Sequence, residues 1–231
     1  MTEYNFYSTA EEVTEGLDLS GQNWLITGVN SGLGRENLRV FALRGANIIA
    51  LARTEEKAEQ SLNEWKAKGT AVGCELSDLD SIAKAVQTIQ DLGIPLKGII
   101  ANAGIMALPE LHQQNGIELQ FYVNHIGHFA LITGLLDCLS EDARVVVLSS
   151  RSHVFASERG MEWENLSGET EYEARRMYGR SKLANILFAK ALNRRFEGSK
   201  KTANAVHPGV IPTNLGRYVP DKDAMYREIQ K

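Results

Sequence analysis

The sequence predicts an α/β fold in which a doubly wound parallel sheet carries helices on both faces. Short apolar runs recur along the chain, segments with helical spacing separate them, and right-handed crossovers turn such an alternation into one layered sheet. The chain has 231 residues, of which 43% are hydrophobic, enough to bury one sizeable core. We therefore expect a single domain.

The predicted strands are short and apolar, as is typical of strands that a parallel sheet buries on both faces. They cover residues 24–27, 48–52, 71–74, 98–101, 144–149 and 203–206. The predicted helices between and after them cover residues 33–43, 55–68, 81–92, 119–138 and 178–196. Ligands of such a sheet bind beyond the carboxyl ends of the strands, so functional residues are expected there.

Charge and composition argue against several classes of function. The net charge is −4 and the basic residues are dispersed, which argues against a nucleic-acid partner. No apolar run approaches the roughly 20 residues of a membrane span, and the acidic start lacks a signal sequence, so we expect a cytoplasmic protein. Cys74 and Cys138 form no CxxC pair and are expected to be reduced. A small-molecule substrate is the remaining expectation.

The first predicted strand runs into a glycine-rich turn that a predicted helix follows at once. Three glycines permit a tight turn and let backbone N–H groups at the helix N-terminus approach a pyrophosphate. The GxxxGxG spacing differs from the better-known GxGxxG, and such turns also arise for structural reasons alone. The order of strand, turn and helix favours a dinucleotide site. Its candidate residues are Gly28, Asn30, Ser31, Gly32, Leu33 and Gly34.

The end of the second predicted strand indicates which dinucleotide binds. A carboxylate at this point would accept a hydrogen bond from the ribose 2′-hydroxyl, whereas this chain has Ala52 followed by Arg53. A small residue followed by a guanidinium suits a 2′-phosphate. The predicted cofactor is therefore NADP(H) in preference to NAD(H). The alternative interpretation of Arg53 is a solvated side chain that opens a helix.

Three further strand ends carry candidates for the cofactor site. Glu75 and Leu76 would face the adenine. Asn102, Ala103 and Gly104 would support the cofactor cleft. Pro208, Gly209 and Thr213 would close over the nicotinamide and its phosphates. Plain roles in helix entry or in chain turns stay open for all of them.

Tyr178 and Lys182 are the candidate catalytic pair. They are four residues apart in a predicted helix, so both side chains lie on one face. A neighbouring ammonium favours the phenolate by roughly 1 to 3 pKa units, and the phenol could then exchange a proton with a substrate oxygen while hydride moves at carbon. Ser149 and Ser150 end the fifth predicted strand, where either hydroxyl could bind that oxygen.

Asn124 lies in the long predicted helix, where a buried amide needs hydrogen-bond partners. A water held by Asn124 could relay protons towards Lys182; a helix kink or a structural amide is the alternative. His125 and His128 lie one helical turn apart, but no carboxylate or cysteine completes a ligand set. We therefore predict no metal site.

Together, these motifs resemble the short-chain dehydrogenase/reductase family. Each is weak alone, but the combination is specific. The motifs are TGxxxGxG at 27–34, NAG at 102–104, Asn124, the serine pair before Arg151, YxxxK at 178–182, and Pro208-Gly209. Residues 123–129 and 178–185 are similar to the retinol-dehydrogenase-like branch, which includes relatives of protochlorophyllide reductase. The resemblance covers about residues 18–216.

The resemblance implies a Rossmann-like fold and a catalytic tetrad of Asn124, Ser150, Tyr178 and Lys182, of which Tyr178 and Lys182 also contact the cofactor. It selects Ser150 from the serine pair, and it implies an NADP-preferring member. Two departures from the family pattern, Ala101 before the NAG motif and Glu75 in place of an aspartate, put cofactor affinity in doubt and leave the chemistry unaffected.

The resemblance also implies a lid helix and a last edge strand after Tyr218, and the sequence contains no pattern for them. We therefore expect a sheet that lacks its last edge strand. The predicted division is a polar lead-in at 1–20, a dinucleotide-binding catalytic domain at 21–216, and the start of an incomplete substrate-lid segment at 217–231.

The sequence thus predicts a reductase or dehydrogenase of a small to medium apolar carbonyl or alcohol. Apolar surface near the cleft is expected from Val29, Met106, Leu108, Val154 and Phe155. A non-catalytic dinucleotide-binding regulator and an interaction module on the same fold are the alternatives. The sequence does not decide between a monomer and a homo-oligomer.

Overall fold

A six-stranded parallel sheet forms the centre of residues 4–5, 7–156 and 160–219, the part of the chain that the computed structural model describes. Its strands are β1 (Asn23–Thr27), β2 (Asn47–Ala52), β3 (Gly69–Gly73), β4 (Leu96–Ala101), β7 (Leu139–Leu148) and β8 (Thr202–Val206). A separate antiparallel pair comprises β5 (Gln113–Gln114) and β6 (Ile117–Glu118), which the sequence patterns did not predict. The sheet order is β3-β2-β1-β4-β7-β8. This is the doubly wound order, so the predicted fold class is confirmed.

Helices connect the strands and cover both faces of the sheet. They are α1 (Ala10–Val13), α2 (Gly32–Leu43), α3 (Glu55–Glu64), α4 (Leu79–Asp91), α5 (Leu119–Phe121), α6 (His128–Gly134) and α7 (Ala174–Arg195). Successive residues of β1 show how the two faces are filled. Leu25 belongs to the cluster that includes Ile82 of α4 and Phe188 of α7, while Ile26 belongs to the cluster that includes Leu38 of α2. The order of strands reverses between β1 and β4, which is where such a sheet opens a ligand crevice.

The predicted helix 119–138 is instead a series of four shorter segments. After α5, Tyr122–Gly127 form a π-helix, α6 follows, and Leu136–Cys138 form a 3₁₀ turn. The chain passes so close to the segment after β3 that a Cβ at Gly127 would lie 2.3 Å from the Leu76 carbonyl oxygen. π-helical segments are often found at functional sites, and this one contains Asn124.

Several element ends differ from the predicted ones. α3 ends at Glu64 instead of residue 68, because Lys66 adopts a left-handed φ of 49° that a helix cannot continue. β7 begins five residues before the predicted start. α7 begins at Ala174, where the Glu173 carboxylate accepts hydrogen bonds from the N–H groups of Arg175 and Arg176. The early start places Tyr178 in the second turn of α7.

The predicted polar lead-in contains structure. Thr9 and Glu12 form a capping box at the start of α1, and Glu11 forms a 2.9 Å ion pair with Arg39 of α2. Residues 220–231, most of the predicted lid segment, lie outside the described residues. Across the described parts of the chain, no helix has the length and apolar character needed to cross a bilayer.

Candidate active site

A cleft of about 650 Å³ opens at the carboxyl ends of β1 to β4 and β7. This volume is within the range usual for small-molecule sites. Its lining includes seventeen of the nineteen predicted catalytic and cofactor-binding residues. They are Gly28, Asn30, Ser31, Gly32, Leu33, Arg53, Glu75, Leu76, Asn102, Ala103, Gly104, Ser150, Tyr178, Lys182, Pro208, Gly209 and Thr213. The other two, Gly34 and Asn124, are not in the lining.

Backbone conformation and close packing explain why the three glycines of the turn are spaced as they are. Gly28 has a φ of 72° and Gly32 a φ of 53°, conformations that glycine adopts without strain. Gly34 serves close packing: a Cβ there would lie 2.2 Å from the Gly28 carbonyl oxygen and 2.6 Å from the Asn102 amide nitrogen. Gly34 therefore lets α2 sit directly against the turn, instead of touching a ligand itself.

The N-terminus of α2 is open to a ligand anion. Its N-cap residue Ser31 makes no side-chain capping bond, and the first turn contains no acidic residue. By contrast, the Thr54 side chain caps α3 and the Asp78 side chain caps α4. Backbone N–H groups at such an uncapped end, together with the helix dipole, attract a phosphate.

Thr27 holds the glycine turn against the Asn102 turn, a role that the sequence analysis did not assign. Its hydroxyl oxygen accepts hydrogen bonds from the backbone N–H groups of Asn102 and Ala103 at 2.9 and 3.0 Å. The Asn102 side chain in turn donates to the Thr27 carbonyl oxygen at 2.9 Å. These bonds fix both walls of the cleft at the β1/β4 crossover point.

Arg53 and Glu75 lie at the end of the cleft away from Tyr178. The Arg53 guanidinium is 3.8 Å from the Glu75 carboxylate, and the two side chains are 63% and 37% exposed. The other Glu75 oxygen accepts hydrogen bonds from the N–H and hydroxyl of Ser77. Lys57, in the first turn of α3, also lines the cleft. A cofactor phosphate there would meet two cations, one of them shared with a carboxylate.

Tyr178 and Lys182 meet on the cleft face of α7, as their spacing predicted. The Lys182 ammonium lies 5.3 Å from the centre of the Tyr178 ring and donates a 3.0 Å hydrogen bond to the Leu148 carbonyl oxygen. Both side chains are buried, with residue exposures of 5% for Tyr178 and 4% for Lys182. They line a cleft whose far end is the glycine turn.

Burial governs both pKa values. Desolvation raises the pKa of Tyr178 to about 12, against a smaller lowering by the Ser150 hydrogen bond. This is the opposite of the lowering expected from the neighbouring ammonium. Desolvation also lowers the pKa of Lys182 to about 8. At pH 7 the site therefore holds a neutral phenol beside a protonated amine.

The two serines at the end of β7 have different surroundings. The Ser149 hydroxyl donates to the Lys182 backbone carbonyl oxygen at 2.9 Å and is thereby occupied in anchoring α7. Both serines line the cleft. The Ser150 side chain hydrogen-bonds Tyr178, accepts from the Ser152 N–H and donates to the Ser152 hydroxyl. Of the two hydroxyls, that of Ser150 is the one bonded to the Tyr178 phenol.

Asn124 is completely buried behind the NAG turn. Its side-chain oxygen accepts from the Ile105 N–H, and its side-chain nitrogen donates to the Ile105 carbonyl oxygen and the Ser181 hydroxyl, all within 3.0 Å. Its backbone carbonyl accepts from the side chains of His128 and Asn185. The side-chain amide thus braces the turn, the backbone carbonyl accepts from two side chains, and a water relay at Asn124 stays a prediction.

His125 and His128 have hydrogen-bond partners of their own. Because Thr27 Oγ1 already accepts two N–H groups, its hydroxyl donates to His128 Nε2 at 2.9 Å, and His128 Nδ1–H donates to the Asn124 carbonyl. Burial lowers the pKa of His128 to about 4, so the ring is neutral. His125 Nδ1 bonds the Asn185 side chain. Among the described residues, no group of three or more His, Cys, Asp or Glu side chains is arranged to hold a metal ion.

The five side chains expected to supply apolar surface are absent from the lining. Val29 and Leu108 are buried in the protein, while Val154 and Phe155 are exposed. The apolar part of the cleft is instead made by Ile105, Leu119 and Val123, beside Leu51, Leu148 and Leu215. Ile105 follows the NAG turn directly, which is the one sequence signal that could have indicated it.

The glycine turn, the open helix end and the buried Tyr–Lys pair beside them are the features of a dinucleotide-binding α/β protein. Comparison with known proteins is consistent with this class. The family model described as short chain dehydrogenase matches residues 22–162. The chain belongs to the short-chain dehydrogenase/reductase family, so the predicted resemblance is confirmed.

Characterised relatives match nearly the whole chain. It is 38% identical over 229 residues to the chloroplastic short-chain dehydrogenase TIC 32 B of Brassica napus, covering 93% of this chain and 72% of the relative. It is 40% identical over 227 residues to the human WW domain-containing oxidoreductase, covering 93% of this chain and 55% of the relative. With human retinol dehydrogenase 13 it shares 36% identity over 220 residues, covering 92% and 66%. The resemblance to the retinol dehydrogenase branch is therefore confirmed as well.

Solved structures show the same fold. An uncharacterised protein from Mycobacterium Paratuberculosis superposes with a TM-score of 0.74 at 34% identity, covering 87% of this chain and 73% of that one. A short chain dehydrogenase from Burkholderia cenocepacia, solved in complex with NADP, superposes with a TM-score of 0.71 at 20% identity, covering 91% and 82%. The second likeness, at this identity, supports the fold alone.

Proposed function

We propose that this chain is an NADP(H)-dependent oxidoreductase that reduces a carbonyl, or oxidises the corresponding alcohol, in a small to medium apolar molecule. The observation that carries the proposal is the meeting of Ser150, Tyr178 and Lys182 at one end of a cleft whose other end is the glycine turn. The wall of Ile105, Leu119 and Val123 suits an apolar substrate.

The cleft fits a nicotinamide dinucleotide. Glycine at 28 and 32 leaves room for backbone N–H groups to contact a pyrophosphate at the uncapped start of α2. Arg53 and Lys57 both line the cleft and supply two cations for a 2′-phosphate, and Thr213, packed on Gly32, supplies a hydroxyl for the phosphates at the turn. When bound, the cofactor supplies or accepts the hydride.

The protein residues handle the proton. In reduction, Ser150 donates a hydrogen bond to the substrate oxygen, and the Tyr178 phenol transfers its proton to that oxygen as hydride reaches the carbon. The Lys182 ammonium then stabilises the phenolate left behind. A neutral phenol beside an ammonium at pH 7 is the starting state for reduction. Alcohol oxidation uses the same groups in the opposite direction.

The test is titration of the purified chain with NADPH and with NADH, followed by nicotinamide fluorescence, for wild type and Tyr178→Phe. A panel of apolar ketones and aldehydes then measures turnover. We expect tighter binding of NADPH, equal within about twofold in Tyr178→Phe, and a turnover loss of roughly a thousandfold in that variant.

Tyr122→Phe is the matched control. Tyr122 is also a buried tyrosine, but its hydroxyl bonds Asn115 away from the cleft, so this variant should turn over normally. Failure to bind either nucleotide would contradict the proposal. NADPH binding without turnover of any carbonyl would favour the dinucleotide-binding regulator instead.

The cytoplasmic location expected from composition stays a prediction. One of the relatives is named as chloroplastic, so a plastid location is the alternative to test. Fractionation with a tagged full chain would decide between the two compartments.

A further inference from the structure

Lys182 shares its hydrogen-bond acceptor with a second buried side chain. The Leu148 carbonyl oxygen at the end of β7 accepts from Lys182 Nζ at 3.0 Å and from Asn185 Nδ2 at 2.9 Å. Asn185 is 1% exposed and lies one turn beyond Lys182 on α7. Both lone pairs of this carbonyl are therefore taken, one by the ammonium and one by an amide.

The hydrogen bonds leave the Asn185 amide one orientation. Its nitrogen must face the carbonyl oxygens of Leu148 and Asn124, because carbonyls only accept. Its oxygen must then face His125 Nδ1, 3.1 Å away, which carries the proton. Burial lowers the pKa of His125, so the ring is neutral at pH 7. A chain of directed bonds thus runs from His125 through Asn185 to the acceptor of Lys182.

Lys182 depends on its contact with the Leu148 carbonyl because no carboxylate of the described residues forms an ion pair with it. Three ionisable side chains lie on this side of the cleft. Tyr178 is on the same helix as Lys182, and His125 and His128 are on the segments packed against it. The NAG turn and residues 148–150 contribute none. A buried ammonium without a carboxylate is held by the orientation of its carbonyl acceptor and by the exclusion of water around it.

We propose that Asn185 is a positioning residue that fixes the Lys182 ammonium towards the cleft through their shared Leu148 carbonyl, with His125 setting the orientation of the amide. This extends the proposed function, in which Lys182 stabilises the Tyr178 phenolate. The consequence for turnover rests on that function, whereas the consequence for Lys182 itself does not.

The first measurement is the pKa of Lys182 in the cofactor-free chain. Competitive acetylation with acetic anhydride across a pH series, read by peptide mass spectrometry, compares Lys182 with the exposed Lys190 of the same helix. In Asn185→Ala the lost amide admits water and reduces desolvation. We expect the pKa of Lys182 to rise by roughly one unit towards its ordinary value.

Asn193→Ala is the matched control. Asn193 lies on the same helix and also bonds backbone groups of a strand, the N–H and carbonyl of Ala203, but that carbonyl is not shared with Lys182. Both variants should lose thermal stability. Only Asn185→Ala should change Lys182 labelling and lower kcat, by about tenfold, with the Kd for NADPH within threefold of wild type.

His125→Phe provides a second test that leaves Asn185 in place. The His125 ring packs among Phe121, Phe129 and Phe188, so phenylalanine keeps the packing and removes only the donor. The pKa of Lys182 should rise in the same direction by a smaller amount. An unchanged pKa in Asn185→Ala, or in His125→Phe where Asn185→Ala does not fold, overturns the proposal, as does an equal change in Asn193→Ala.

The two proposals fail separately. A wild-type chain that turns over no carbonyl would refute the proposed function while the acetylation contrast still decides the role of Asn185. A chain with normal turnover and no acetylation contrast would refute the positioning role alone.

Discussion

The two ends of the cleft are built in different ways. At the cofactor end, one strand, one turn and one helix supply the site within residues 27–34, and backbone groups form its surface. At the catalytic end, Ser150, Tyr178 and Lys182 come from two separate segments and are held by buried hydrogen bonds to Leu148, Ser149 and Ser181. The first end depends on backbone conformation and the second on a network of side chains.

This difference predicts how each end responds to substitution. A backbone-made site tolerates changes of side chain but not an added Cβ where chains touch. A site held by a hydrogen-bond network tolerates small changes of shape. It does not tolerate the loss of one donor or acceptor, since the buried polar group that was bonded to it then lacks a partner.

The largest effect on cofactor binding is expected from Gly34→Ala at the cofactor end. The new Cβ would lie 2.2 Å from the Gly28 carbonyl oxygen, so α2 must move away from the turn. Losing one or two charge-assisted N–H bonds to a phosphate, at about 1.5 to 3 kcal/mol each, should weaken NADPH binding by roughly a hundredfold or more. Fluorescence titration measures this.

Gly93→Ala is the control for backbone strain alone. Gly93 has a φ of 62° with nothing within 4 Å of an added Cβ, so the variant should lose about 1 kcal/mol of unfolding free energy and bind NADPH normally. Equal binding losses in the two variants would show that general destabilisation, and not the close contact, controls the cofactor end.

The next largest effect separates Ser150 from Ser149 at the catalytic end. Ser150→Ala should lower kcat by roughly 10- to 100-fold, because a hydrogen bond to a charged transition-state oxygen contributes about 1.5 to 3 kcal/mol. Ser149→Ala removes the bond to the Lys182 carbonyl and should cost about 1 kcal/mol of stability, with kcat within threefold. Steady-state kinetics and urea unfolding of both variants provide the comparison; reversed roles would refute the geometry of the serine pair.

The contrast between the two ends also explains what the sequence could predict. The glycine turn is local, and each of Gly28, Gly32 and Gly34 has a steric reason that a short motif records. The parallel sheet is also local in origin, because each buried strand is a continuous apolar run. The Tyr178 and Lys182 pair was predictable since one helical turn brings them together.

The features that could not be predicted depend on contacts between residues far apart in the chain. The Thr27 hydroxyl hydrogen-bonds His128, which lies 101 residues further along the chain. The Asn124 side chain hydrogen-bonds Ser181, which lies 57 residues further along. Burial also reversed the expected direction of the Tyr178 pKa, because desolvation depends on packing that no spacing encodes. The close contact of Gly127 with Leu76 beside the π-helix is likewise long-range.

The smallest effect is expected at the rim of the cofactor end, where side chains and solvent meet. Arg53→Ala should weaken NADPH binding by about tenfold and NADH binding by less than twofold, because the guanidinium is 63% exposed and its contact with a 2′-phosphate is partly screened. Equal losses for the two nucleotides would remove the basis for NADP preference. Arg194→Ala, at the far end of α7, is the control for net charge.

Glu75→Gln sharpens the same comparison in the opposite direction. Removing the carboxylate 3.8 Å from Arg53 frees the guanidinium for the phosphate, while glutamine keeps an acceptor for Ser77. An exposed ion pair is worth about 0.2 to 1 kcal/mol, so NADPH should bind roughly twofold more tightly. A loss of affinity would mean that Glu75 itself contacts the nucleotide, as its place beside the adenine position suggested from the sequence.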